Sequence, residues 1–163
     1  NDGEKMVALT FDDGSALGIT DKVLDVLDEN GVTASFFLIG NNINDTTAPL
    51  VKHAHDMDCS IENHSRTHSA MTTLTGQEIL DEICYTSDAI ERITGDKPQF
   101  FRPPYIDYNK KMYDIQGNVQ TVEAIKGIIS VLKKQGYEFV TIRNLFKKSG
   151  VVSERNTILM EVK

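Results

Sequence analysis

Short β-rich runs and amphipathic helical stretches alternate along most of this 163-residue chain, and that alternation limits its fold more than any single residue does. Lys5–Phe11 (KMVALTF) is an apolar, β-forming run that stops at Asp12-Asp13-Gly14. Ile19, Val23, Val26 and Leu27 then recur at helical spacing, and Gly31 stops the helix. Thr33–Gly40 (TASFFLIG) reads as a buried strand, a helix runs through Leu50, Val51 and Ala54, and Cys59–Asn63 reads as a third strand. Thr75-Gly-Gln-Glu78 has the form of a capping box, in which hydroxyl and carboxylate satisfy each other's backbone N–H groups. The helix it opens carries Ile79, Ile83, Ile90 and Ile93 and closes at Gly95. Gln99–Arg102 is a fourth strand, Val119–Lys134 a helix, Tyr137–Ile142 a last strand, and a short helix starts at Asn144. Such a pattern predicts an α/β domain with a parallel sheet, whose strand C-termini share one rim.

The polar groups able to do chemistry follow the strands and so belong to that rim. Asp12 and Asp13 follow the first run, His64 the third, and Arg102 ends the fourth. Two adjacent carboxylates at a tight turn can divide their work, one binding a cation and the other taking a proton, although Asp and Gly also make ordinary turns. His64 and His68 stand four residues apart, a spacing that brings two imidazoles to one face of a helical turn and within reach of one ion. Two core or surface histidines would read the same. His53 and His55, two apart, face different ways. In Phe101–Tyr105 (FRPPY) the Arg102 guanidinium can clamp a carboxylate, and the two prolines stiffen the loop while removing two N–H donors. That leaves the Tyr105 N–H as a candidate oxyanion donor, though a rigid loop with an ion-paired arginine is the plain alternative.

Together, and in this order, the three segments resemble the NodB-type polysaccharide deacetylases, carbohydrate esterase family 4. Thr10–Gly14 (TFDDG), His64–His68 (HSRTH) and Arg102–Tyr105 (RPPY) are similar to the family's first three motifs, and the stretch from Thr121 to Phe146 is similar to its last helix and strand. The resemblance implies a distorted (β/α) barrel spanning residues 1–163 as one domain. It implies Asp12 as catalytic base, Asp13, His64 and His68 as metal ligands, Arg102 as the group that orients Asp12, and Tyr105 as the oxyanion donor. The ion it implies is zinc in the first place, with cobalt, manganese or nickel as alternatives, since two imidazoles and a carboxylate suit several divalent ions. The implied reaction is removal of O- or N-acetyl groups from a polysaccharide. The tail and the RPPYID segment lean towards acetylxylan over chitin or peptidoglycan. The implied setting is extracellular, as a monomer or as one module of a larger enzyme.

The chain departs from the family in one place. It has no Trp, and no His follows His68, so the family's acid motif and its partner segment are missing. The βα alternation fails in the same place, because no β-run lies between Tyr105 and the helix at Val119. A β-α-β unit of about 40 residues is therefore expected to be missing near Asp114–Val119. A carbohydrate-binding relative without turnover stays open on this ground, as does another metalloenzyme using two His and one carboxylate, such as a phosphatase or an iron oxygenase.

Composition excludes more than it selects. A net charge of −7 and a pI near 5.0 disfavour nucleic acid and anionic membranes as partners. No apolar run approaches the roughly 20 residues of a membrane span. The opening NDGEKMVALTF is not a secretory leader, which fits a mature secreted domain and a cytoplasmic protein alike. Two cysteines, Cys59 and Cys84, make no disulfide framework and read as buried free thiols.

Overall fold

The computed structural model of the chain describes residues 6–105, 129, 133–134 and 136–149. Two parallel sheets carry it. The run at Lys5–Phe11 is not one strand but two, β1 (Met6–Val7) and β2 (Thr10–Gly14). The break at Ala8–Leu9 lets the upstream half pair with β5 (Glu138–Phe139) and the downstream half with β3 (Ser35–Leu38). β3 pairs in turn with β4 (Ser60–Asn63), and Phe101 adds a parallel bridge to Asn63. All pairings are parallel, as the βα alternation requires, and the architecture is that of a distorted α/β barrel.

Helices cover the outside. α1 (Thr20–Asn30) ends where Gly31 takes a left-handed φ of 57° and its N–H closes on Asp28. That is a conformation glycine adopts without steric cost. α2 (Ala48–Asp56) starts with Pro49 in its first turn, where no N–H is needed. α3 (Gly76–Thr94) has the capping box that the sequence predicts, between Thr75 and Glu78, and Gly95 beyond its end. α4 (Ile142–Ser149) begins two residues earlier than expected. Of the helix expected at Val119–Lys134, only Ile129, Lys133 and Lys134 are among the described residues, and these are helical. The expected junction at Asp114–Val119 lies outside them. Among the described residues no helix is long and apolar enough to cross a membrane.

β3 and β4 are buried on both faces and β2 is half-buried, which explains why β3 shows no polar alternation. Register alone sorts the side chains. Phe11, Phe36 and Ile61 form a row on the outer face, packed with Val23, Leu24, Leu27, Val51 and Ala54 from α1 and α2. Phe11 and Phe36 stack with centroids 5.2 Å apart. Asp12, Phe37 and Glu62 form the next row, on the inner face, and there Phe37 packs with Phe100 and Ile142. Below them Thr10, Ser35 and Ser60 make a polar row. Cys59 is buried, as expected. Cys84 is exposed, because it lies on the solvent face of α3, opposite the side that packs on the sheet.

Between β3 and α2 a short 3-10 turn, Gly40–Asn42, runs against α3. A Cβ at Gly40 would lie 2.3 Å from Thr86 Oγ1 and 3.0 Å from Tyr85 Cδ1. Gly40→Ala should therefore cost about 1–3 kcal/mol of stability through overpacking, read from urea unfolding midpoints. Adding Thr86→Ala should recover part of that loss, and no recovery would place the strain elsewhere.

Candidate metal centre

Asp13 owes its position to a fault in the sheet. Asp12 pairs with Phe37 and Gly14 with Leu38, so Asp13 is one residue too many, with φ at +66°. A bulge of this kind re-aims a side chain, and Asp tolerates the left-handed region better than most residues. Asp12 therefore stays in the inner row while Asp13 turns towards the strand ends. β4 brings His64 there, just past its last residue, Asn63.

Ligand atoms of Asp13, His64 and His68 all lie within 4.8 Å of one another. His64 Nε2 is 3.4 Å and His68 Nε2 3.3 Å from the same oxygen, Asp13 Oδ1. Both contacts are longer than a well-formed hydrogen bond, and Oδ1 is buried without any hydrogen-bond partner. Buried carboxylate oxygens rarely stay unpaired, because desolvation without compensation is costly. An orphaned oxygen facing two imidazole nitrogens fits a divalent cation that all three would hold. The approach of the His64 side chain is the main cause holding the Asp13 carboxyl below its usual range. Burial opposes it, and electrostatic attraction to His68 and His64 lowers it further.

His64 is aimed by its other nitrogen. Nδ1 lies 2.7 Å from the Arg102 carbonyl, which can only accept, so Nδ1 carries the proton and Nε2 keeps its lone pair for the pocket. The Arg102 N–H in turn donates to Asn63 O at 2.9 Å. Its guanidinium reaches Asp12 Oδ1, donates to Thr10 Oγ1 at 3.3 Å, and lies 3.9 Å over the Phe37 ring. The clamp on Asp12 expected from the sequence is present. Tyr105 has φ +54°, and its exposed ring packs edge-on against His68 at 4.7 Å. Of the other histidines, His55 on α2 lies 3.2 Å from Asp96 instead.

Two expectations need correction. Ser65–His68 is not a helical turn: Ser65 and His68 have φ of +68° and +60°. The imidazoles meet because a non-helical loop is pinned, not because of i, i+4 geometry. Ser65 N–H donates to Asn63 Oδ1 (2.8 Å), Arg66 and Thr67 N–H to Glu82 Oε2 (2.9 and 2.8 Å), and His68 N–H to Ser65 Oγ (3.0 Å). Likewise Gln99–Arg102 is not a regular strand. Its N–H groups at Gln99 and Phe100 donate to Glu62 Oε2, at 2.7 and 2.8 Å, in place of a neighbouring strand. Glu62, Asn63 and Glu82 are thus parts of the site's frame that the sequence reading missed. The available signal was a carboxylate inside an otherwise buried strand, and another on the apolar stripe of α3 between Ile79 and Ile83.

Comparison with known proteins adds independent information. A family model described as polysaccharide deacetylase matches residues 1–124. The chain is 37% identical over 190 residues to a bifunctional xylanase/deacetylase of Pseudobutyrivibrio xylanivorans, with 91% of this chain and 31% of that protein covered. Since the aligned stretch is longer than this whole chain, the relative carries roughly 40 more residues within it, about one β-α-β unit. The Xyl-CE4 domain of a multidomain xylanase from the hindgut metagenome of Trinervitermes trinervoides superposes with a TM-score of 0.85 at 38% identity, covering 95% of each chain. A family 4 acetyl xylan esterase from Clostridium thermocellum, solved with a cobalt ion, gives a TM-score of 0.82 at 31% identity, covering 91% of this chain and 93% of that one. The chain spans about a third of the length of the curated relatives it first matches.

Two measurements follow from the geometry. Asp13→Ala or His64→Ala should abolish binding of Co²⁺ or Zn²⁺ in calorimetric titration while the chain stays folded. Glu62 supplies a pH test. Burial pushes its carboxyl above the usual range, against the hydrogen bonds from Ser60, Phe100 and Gln99 and the charge of Arg143, which lower it. An acid that holds its proton better when folded contributes fully below its unfolded value and loses that contribution as pH rises through the raised one. The stability of wild type relative to Glu62→Gln should therefore fall as pH is raised from about 4 towards 7, as read from urea midpoints; a flat difference would contradict it.

Proposed function

The chain belongs to the polysaccharide deacetylase family, and on that premise we propose that it hydrolyses acetyl groups from an acetylated polysaccharide, with xylan as the polymer. One observation carries the reading. The unpaired Asp13 oxygen and two imidazole nitrogens converge on one point, beside a second carboxylate held by an arginine.

Asp13, His64 and His68 would hold the ion. A divalent ion supplies Lewis-acid polarisation of the acyl group and makes water acidic enough to attack near neutral pH. The chain's own residues do the rest. Asp12 takes the proton of the attacking water, and Arg102 fixes the carboxylate so that it presents one oxygen to that water. The Tyr105 N–H donates to the oxyanion that develops as water adds, a contribution of about 3–4 kcal/mol for a well-placed donor. No His follows His68 in this sequence, so the proton that Asp12 takes from water passes on to the leaving oxygen or nitrogen as its bond to the acyl carbon breaks, releasing acetate and the free sugar hydroxyl or amine. Zinc or cobalt suits two nitrogens and a carboxylate. The xylan assignment rests on the relatives, whose names attach that polymer to their own activity. A polymer too large to enter a cell must be met outside it, so an extracellular setting follows, with the chain acting as one module of a larger enzyme.

The test is acetate release from acetylxylan, chitin oligomers and peptidoglycan glycans, with and without added Zn²⁺ or Co²⁺. Acetylxylan should be preferred. Preference for an N-acetylated glycan would move the assignment to an amide substrate, and metal-independent or absent release would sink the enzyme reading. Asp12→Asn should lose about 10²–10⁴-fold in kcat while binding Co²⁺ as tightly as wild type. Retained turnover would remove Asp12 from the role of base.

A further inference from the structure

His68 is the ligand whose placement the sequence explains least. It sits at the end of an irregular loop, with a left-handed backbone at both Ser65 and His68. Left-handed non-glycine residues cost energy and persist only where their surroundings hold them. Here the surroundings are countable. The loop's carbonyls are taken by the 3-10 turn, with Gly40 N–H on Ser65 O (2.9 Å) and Asn41 N–H on Arg66 O (3.0 Å). Its two central N–H groups, those of Arg66 and Thr67, converge on a single oxygen of Glu82. The other Glu82 oxygen accepts from Thr67 Oγ1 at 2.8 Å.

Glu82 is buried and lies on α3, a helix anchored separately at its start by the capping box. The same helix grips the loop's upstream end, where Asn63 Nδ2 donates to Ile83 O (2.8 Å) and to Ser87 Oγ (2.9 Å). α3 thus fixes the loop on both sides of Arg66, between the two imidazoles. An ionised carboxylate is acceptor-only, and one of its oxygens can receive two N–H groups at once.

We propose that Glu82 is a positioning residue for the metal site, its carboxylate holding the Arg66 and Thr67 amides so that His68 Nε2 meets Asp13 and His64. The residue touches neither ion nor substrate. Partners that hold metal ligands in place set affinity through geometry, and their loss typically costs about 10–100-fold in metal binding. This inference rests on the metal centre and not on the choice of acetyl substrate.

The test is titration of chelator-treated protein with Co²⁺, followed by calorimetry and by the visible absorption of the bound ion, which reports its coordination. Glu82→Ala should weaken Co²⁺ binding about 10–100-fold and alter the absorption band. Glu82→Gln, which keeps an oxygen for the two amides, should stay near wild type. Val26→Ala, a core truncation in α1, should lower stability and leave both readouts unchanged. Should the alanine variant fail to fold, Glu82→Asp decides: one methylene short, it should bind more weakly than Glu82→Gln. Equal affinity and an unaltered band in Glu82→Ala, or in Glu82→Asp where that variant decides, would overturn the role of Glu82. A wild-type chain that takes up no cobalt would sink the metal centre itself, and this inference with it.

Discussion

The two ends of Arg102 govern two different groups, and the rest of the site depends on that pairing. Its carbonyl fixes the proton of His64 on Nδ1, and its guanidinium holds Asp12 across the Phe37 ring. The proposed metal ligand His64 and the proposed base are therefore set by one residue. The residue is itself held. Its N–H is bonded to Asn63, and the two residues before Phe101 are bonded to the buried Glu62. A displacement of this segment would disturb the imidazole and the carboxylate together.

Much of this was legible in the sequence, for reasons specific to particular residues. Strands and helices were, because burial imposes period on apolar residues: β3, α1, α2 and α3 fall close to where the spacing puts them, and the Thr75 capping box and Gly31 stop are local chemistry. The convergence of Asp12, Asp13, His64 and Arg102 was legible too, since each stands at or just past the C-terminal end of a parallel β segment, and such segments end on one side. What was not legible depends on long-range hydrogen bonding. The split at Ala8–Leu9 depends on β5, some 130 residues away. The irregular path of Gln99–Arg102 depends on where Glu62 sits. The shape of Ser65–His68 depends on a carboxylate in a helix that begins eight residues beyond it. In that loop the two imidazoles do come together, but through a pinned non-helical path and not through i, i+4 helical geometry.

The inner face of the sheet is unusual in its chemistry. Thr10, Ser35 and Ser60 in one row and Asp12 and Glu62 in the next place hydroxyls and carboxylates where a closed sheet could carry aliphatic side chains. Each has a partner to hold: Ser35 Oγ receives the Ile142 N–H, Thr10 Oγ1 the Arg102 guanidinium, and Ser60 donates to the Glu62 carboxylate. The apolar core accordingly lies between the sheet and its helices, where Leu24, Leu27, Val51 and Ile90 are almost wholly buried. The larger apolar cluster and the polar rows thus occupy opposite sides of the same strands, with Phe37, Phe100 and Ile142 as a smaller apolar group on the inner side.

The bulge at Asp13 separates those two sides in another sense. Dropping one residue there would restore an unbroken ladder between β2 and β3, leave Phe11 in its aromatic stack, and take away the carboxylate that faces the histidines. A single-codon deletion could thus yield descendants that keep the fold and its core while nothing on β2 any longer faces the two imidazoles.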